Sequence, residues 1–410
     1  MKEKQSIESI LNSVLDKIIV TGKEQIDLDK AVGRFVAERI TAREDVPSFH
    51  SSRFDGYAVK IEDVQNATEE NPVFLKVVVE IPAGHSPKEK IGQERAARIF
   101  TGAPIPAGVN AIIKNEAVEE VNGGIKVQYS CVDGQGIANK GFNLAKGNRL
   151  AEVGDEVTPG LIGCLATQGI ENLTVFKKIK VGVFSIGSEL VELGGQVEEP
   201  YIRSSNYYML MAACRASGVE VVPLGLLADK REEITEKINY GLESCDMLIS
   251  SGGAMNGKYD LVALALEKSK AQLFQRGVGV YPGHACAYGN RGNKLYFGLS
   301  GSPGSAMTNF NLIVLPAIRK AQGRTLIKNR TVLAILGASI QRKNERDCVV
   351  RGQVEVRAGT IYFIPIIKAR RASMQSLIDS EALLVLQNNC YVLEQGKQVF
   401  IQIITERDLI

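Results

Sequence analysis

The chain has 410 residues, enough for two to four domains, and 45% of them are hydrophobic, which excludes global disorder. Lys plus Arg number 49 and Asp plus Glu 46, a net charge of +3, which argues against a surface built to neutralise nucleic-acid phosphates. Three histidines and seven widely spaced cysteines without a CxxC pair make a histidine metal cage, a zinc site or a disulfide framework poor readings.

In chain order, Ser6–Ile19 predicts an amphipathic helix, with Ile7, Ile10, Leu11, Val14, Leu15 and Ile18 at helical spacing. Ile26–Val36 predicts a strand and a turn. A loop of small and turn-forming residues, SSRFDGYAV, follows at 51–59. Residues 60–150 read as β-rich, with β-branched runs at Val73–Ile81 and Ile125–Tyr129 and an exposed turn at 101–108, TGAPIPAG. Pro159–Gln168 predicts a helix capped by Gly169.

From Lys180 the pattern becomes strand–helix alternation with short loops. Strands are expected at 181–186, 219–227, 247–251 and 295–297, and helices at 205–217, 231–243, from 261, and 306–318. This is the pattern of a doubly wound, mainly parallel α/β sheet, which binds ligands at the carboxyl ends of its strands. Strands at 332–336, 349–356, 360–367, 382–386 and 398–404 predict a small all-β C-terminal domain. No uncharged apolar stretch is long enough to span a bilayer and no signal core opens the chain, so a cytoplasmic protein without membrane contact is expected.

The loops at the predicted strand ends carry the chemistry. Ser251-Gly252-Gly253 and Gly301-Ser302-Pro303, with Ser305, are glycine- and serine-rich turns that lead into helices. There backbone N–H groups approach an anion closely. Taken alone, each reads first as an ordinary turn; the shared strand-end position favours a ligand. Glu189, Asp229 and Asp260 fall at the same edge, where three acids invite a divalent cation bridging to a phosphate. Singly, each is as well read as a surface acid or a helix cap. His284, in a Pro-Gly turn, is a phosphate ligand, a proton donor or simply exposed.

In this order and spacing, the segments SSRFDGYAV, RIFTGAPIPAGVNAIIKNE, FSIGSEL, IRSSN, ISSGGAMNGKYD, VYPGHACAYG and GLSGSPGSA resemble the molybdopterin molybdenumtransferase family, MoeA and the E domain of gephyrin, over essentially the whole chain. The resemblance implies four parts. These are a linker-like domain from 1–45 and 150–175, a β-rich domain at 46–149, an α/β molybdopterin-binding domain at 176–326 and a β-barrel-like domain at 327–410. It implies a homodimer whose site lies between the α/β domain of one copy and the β-rich domain of the other. The reaction it implies hydrolyses adenylylated molybdopterin with Mg²⁺ and inserts molybdate, releasing AMP. An adenylyltransferase would then act upstream, and molybdoenzymes would accept the product.

Position by position, Asp55, Thr101, Glu189, Asp229 and Asp260 match family residues. The four acids are the implied catalytic set, and Glu189, Asp229 and Asp260 the implied metal ligands. Thr101, Ser251, Gly252, Gly253, His284, Gly301, Ser302, Pro303 and Ser305 are the implied substrate-binding set. The chain also departs from the family. Ser188 and Ser204 stand where acids are expected, Gly147-Asn148-Arg149 replaces G-E-D, and K-P-G-K-P reads Tyr281-Pro282-Gly283-His284-Ala285. Gly277 takes a further lysine position, and P-G-N-P reads Ser300-Gly301-Ser302-Pro303. Lys258, Arg203, Arg276 and His284 are the expected compensating groups. These losses also leave a second expectation, a non-catalytic relative that binds a pterin, a nucleotide or a protein.

Overall fold

The computed structural model describes residues 6–253, 261–341, 346–366, 373–387 and 390–405. Three six-stranded sheets organise the chain.

The sheet of the α/β region has the order Glu220–Leu227, Lys180–Ile186, Met247–Ser251, Lys294–Leu299, Ala287–Arg291, Gln272–Arg276. The first four strands pair in parallel, and only Ala287–Arg291 runs against the rest. Lys180–Ile186 is buried at every position after its first, as a strand covered on both faces must be. One face packs on the helices Arg231–Ser244 and Leu261–Lys268 through Phe184, Leu248, Ile234 and Leu266. The other packs on Ser205–Ala216 and on the helical run that begins at Pro303. That run starts three residues earlier than the spacing predicts. It continues through a π-helical turn, Phe310–Val314, to Ala321, so Pro303 and Ser305 lie in its first turn. The strands Gln272–Arg276 and Ala287–Arg291 carry mixed polar sequences, which hide them from a periodicity reading.

The helix Ile7–Leu15 forms as its spacing predicts, and the Ser6 hydroxyl accepts the Ser9 N–H at its start. Its apolar stripe enters the α/β core beside Leu210, Phe310 and Ile318. A small β unit follows, in which Lys23–Asp27 pairs with Asn172–Phe176 and Ile40–Thr41 with Arg149–Ala151. Val36, Leu165, Leu173 and Val175 fill its core under the helix Pro159–Thr167.

The β-rich sheet has the order Ala111–Lys114, Gly56–Val59, Arg95–Ile99, Val73–Ile81, Gly124–Val127, Val118–Val121. Gly56–Val59 is buried throughout. At the C-terminal end, Thr331–Leu336, Asp347–Arg357, Thr360–Pro365, Ala382–Leu386 and Gln398–Ile403 form a five-stranded barrel, closed by pairing of Asp347–Arg357 with Ala382–Leu386. Val280–Tyr281 adds to this barrel in parallel with Asp347–Cys348. The loop carrying His284 therefore sits where the α/β region meets the barrel. Among the described residues, no helix is long and apolar enough to cross a membrane.

Candidate active site

The β-rich sheet presents Asp55 and Thr101 together. The loop before Gly56 is held on two sides. The Ser52 N–H donates to the Ala103 carbonyl at 2.9 Å and the Gly102 N–H to the Ser52 carbonyl at 2.8 Å. The Arg53 N–H donates to the Gly136 carbonyl at 2.9 Å. Gly56 is obligatory, because a Cβ there would lie 2.0 Å from the Ile113 carbonyl oxygen. The fixed loop aims Asp55 at Thr101. Oδ1 of Asp55 accepts the Thr101 N–H at 2.8 Å and its hydroxyl at 2.7 Å. These two bonds, with Arg98 adding a smaller attraction, hold the Asp55 carboxyl below the usual range.

At the α/β sheet, Ser188 and Asp229 bind each other reciprocally across adjacent strand ends. The Ser188 N–H donates to Oδ2 of Asp229 at 2.8 Å, and the Asp229 N–H donates to Oγ of Ser188 at 3.0 Å. Glu189, exposed in the same turn, folds its carboxylate over Gly187, where a Cβ would lie 2.7 Å from Oε2. Gly252 adopts φ +83 with its Cβ position 2.1 Å from the Ile186 carbonyl oxygen, so no other residue fits. Gly253 follows with φ +68.

The second glycine loop lies directly on the first. The Gly252 N–H donates to the Leu299 carbonyl at 3.1 Å, and the Cβ position of Gly301 is 3.8 Å from the Gly252 Cα. Asn206 clamps it, with Nδ2 donating to the Gly301 carbonyl at 2.8 Å and reaching the Ser300 carbonyl at 3.4 Å. The Ser302 N–H donates to Oγ of Ser300 at 3.2 Å. Ser251, expected at the substrate, has its hydroxyl buried and paired with Ser185 at 2.7 Å. It therefore shapes the strand end from inside the sheet. The His284 carbonyl accepts the Val278 N–H at 3.0 Å, and Asn309 Nδ2 holds the neighbouring Gly283 carbonyl at 2.8 Å.

Two of these supports escape a motif reading. Asn206 lies inside a quoted motif, but its partners are almost a hundred residues away. Arg351, on the barrel, is fully buried and donates to the Gly304 carbonyl at 2.7 Å and to the Thr308 hydroxyl at 3.0 Å, bracing the helix that begins at Pro303. Burial lowers its pKa to about 10. Its signal in the sequence is an arginine in the apolar run Val349-Val350-Arg351.

The geometry thus collects two groups, Asp55 with Thr101 and the strand-end loops of the α/β sheet. Among the described residues, no hydrogen bond or ion pair joins them, and no three His, Cys, Asp or Glu side chains cluster as a metal site. Asp260 and Lys258 lie outside the described residues. Arg203 is engaged within its own loop, donating to the Gly195 carbonyl at 3.1 Å.

Comparison with known proteins places this arrangement. Residues 5–169 match the MoeA N-terminal region (domain I and II), and 182–320 match a probable molybdopterin binding domain. A Bacillus subtilis (strain 168) protein named molybdopterin molybdenumtransferase is 31% identical over 394 residues, covering 94% of this chain and 90% of that protein. The chain belongs to the molybdopterin molybdenumtransferase family. A relative of the same name from Nostoc sp. is 33% identical over 303 residues, 73% of this chain and 70% of its own. The crystal structure of a molybdopterin biosynthesis MoeA protein from Pyrococcus horikosii superposes with a TM-score of 0.83 at 32% identity, over 98% of this chain and 99% of that one. Ser188, where the resemblance leads one to expect an acid, closes the turn with a hydroxyl. Its hydroxyl and N–H satisfy Asp229 without a second carboxylate.

Proposed function

We propose that the chain works in molybdenum cofactor biosynthesis as a molybdenumtransferase, hydrolysing adenylylated molybdopterin and inserting molybdate with release of AMP. The observation that carries this reading is the seating of the Gly301 loop on Gly252, clamped by Asn206, at the carboxyl ends of the strands Met247–Ser251 and Lys294–Leu299. That edge is where an open α/β sheet binds its ligand, and its backbone is preset for a close approach by an anionic group.

Asp55, held ionised by Thr101, orients water or substrate through Oδ2, since Oδ1 is occupied by both threonine bonds. Mg²⁺ suits Glu189 and Asp229, whose hard carboxylate oxygens stand at adjacent strand ends, with Asp260 as the third expected ligand. Such an ion, when bound, offsets phosphate charge. Gly252, Gly253, Gly301, Ser302, Pro303, Ser305 and His284 form the substrate-facing loops of this reading. As the family resemblance implies, the working site is a cleft shared by two copies in a cytoplasmic homodimer, which would bring Asp55 and Thr101 of one copy to the strand-end loops of the other. An upstream adenylyltransferase supplies the substrate, and acceptor molybdoenzymes take the product.

Incubating the purified protein with adenylylated molybdopterin, Mg²⁺ and molybdate is expected to release AMP in step with molybdate insertion. No release across a broad range of molybdate would overturn the assignment.

A further inference from the structure

The loops of the α/β sheet carry none of the lysines that the family resemblance expects, at Gly277, Tyr281 and His284, yet the proposed substrate is a polyanion. The β-rich sheet holds cations of the required kind. Lys114 lies directly across from Gly56 in the strand register, one residue from Asp55, with its Nζ 5.2 Å from the centroid of the Phe54 ring. Arg53, two residues before Asp55, stacks its guanidinium over Phe142 at 5.4 Å. Both cations are exposed, and neither makes an ion pair with a described residue. By contrast, Lys126, farther across the same sheet, and Lys140 are paired with Glu119 and Asp45.

The rings are placed as well as the charges. Phe54 packs on Gly136, whose Cβ position is 2.6 Å from the ring, so the ring cannot retreat beneath Lys114. Phe142 is 59% exposed and offers a flat face beside Arg53. On the other side of the Gly56 strand, Arg98 has a buried Nε with no hydrogen-bond partner. A cation held on an aromatic ring keeps N–H donors for a phosphate, and the exposed Phe142 ring adds a surface on which a flat heteroaromatic ring can pack.

We propose that Arg53 with Phe142, and Lys114 with Phe54, form a subsite beside Asp55 for a phosphorylated heteroaromatic group. They would thereby supply from the β-rich sheet the positive charge missing from the α/β loops. The proposal rests on the transferase reading and deepens it. Both halves of adenylylated molybdopterin carry this chemistry, as the adenine nucleotide and as the phosphorylated pterin.

AMP and a monophosphorylated pterin, titrated separately by calorimetry into the full chain, distinguish the halves. Arg53→Gln and Lys114→Gln are each expected to weaken binding of one probe about tenfold, with the double variant weaker still, because each removes a charge-assisted contact. Lys114→Arg retains affinity, and Lys126→Gln, on the same sheet, leaves it unchanged. Thermal unfolding of these surface variants matches the wild type. A loss confined to AMP assigns the nucleotide half, and a loss confined to the pterin assigns the other; either supports the subsite. Failure of the wild type to bind either probe, unchanged affinity in the double variant, or an equal loss in Lys126→Gln overturns it. AMP release separates the two readings. Release by the wild type with probe binding unaffected in the double variant sinks the subsite alone. Charge-dependent probe binding without release sinks the transferase assignment and leaves the subsite standing.

Discussion

At the scale of single residues, the contacts of each carboxylate decide what it can do. Asp55 takes two hydrogen bonds from Thr101 on one oxygen, and these favour the charged form over the protonated one. Its folded pKa is therefore depressed. The ionised state persists as pH falls below the ordinary carboxylate range, and the stabilisation it brings declines as pH falls from that range to the lowered value, below which it is gone. Thr101→Val removes the hydroxyl bond and keeps the N–H bond. The Asp55 titration, followed by carboxyl ¹³C NMR, is expected to move up toward the ordinary value, and the acid limb of kcat/KM for AMP release to move with it. An unmoved titration would show that the hydroxyl does not hold the charge. Asp229 is organised differently, with one oxygen spent on the backbone of Ser188 and the other left for a ligand. The sequence shows that Ser188 lacks a charge, but not that its hydroxyl closes a reciprocal pair, because the two residues are 41 positions apart.

At the scale of elements, legibility follows the period of burial. Ile7–Leu15 and Val73–Ile81 are visible as repeating apolar spacing, and the Lys180–Ile186 and Met247–Ser251 strands as continuous apolar runs. Gln272–Arg276 and Ala287–Arg291 are invisible because intermediate burial at the sheet margin selects no pattern in QLFQR or in the Asn-Arg end of its partner. The early start of the helix at Pro303 is explained from outside it. Proline suits a first helical turn, and Arg351 on the barrel braces the Gly304 carbonyl, a contact no local sequence encodes. The glycine loops are legible as turns, but their stacking depends on Asn206, buried in the helix Ser205–Ala216. Asn206→Ala removes the donor to the exposed Gly301 loop's carbonyl, a hydrogen bond worth about 0.5–1.5 kcal/mol. The KM for adenylylated molybdopterin is expected to rise by up to about tenfold while the fold persists in thermal unfolding. An unchanged KM would mean that the loop holds its shape without the clamp.

At the scale of the whole molecule, the N-terminal helix shows that sequence order and spatial assembly differ. Ile7–Leu15 stands at the start of the chain, yet it packs on the run from Phe310 to Ala321, in a core that also holds Ile179 of the α/β region and Val349 and Leu383 of the barrel. The barrel's strands are legible one by one, but its closure through Asp347–Arg357 and Ala382–Leu386 is a long-range property. The division of the proposed site is a property of the same order. Asp55 and Thr101 belong to one sheet, and Asp229 and the glycine loops to another. If two copies complete each other through a twofold axis, every cleft draws one half from each copy. Asp55→Asn and Asp229→Asn then each abolish both clefts of a homodimer. Co-refolded in equal amounts, they form mixed dimers in which one cleft carries both substitutions and the other carries neither. Half of the dimers are mixed and half of their clefts are intact, so about a quarter of the wild-type AMP release is expected to return. A site contained within one chain predicts none, because each chain would still hold its own defect. Recovery of activity on mixing therefore reads out where the cleft lies.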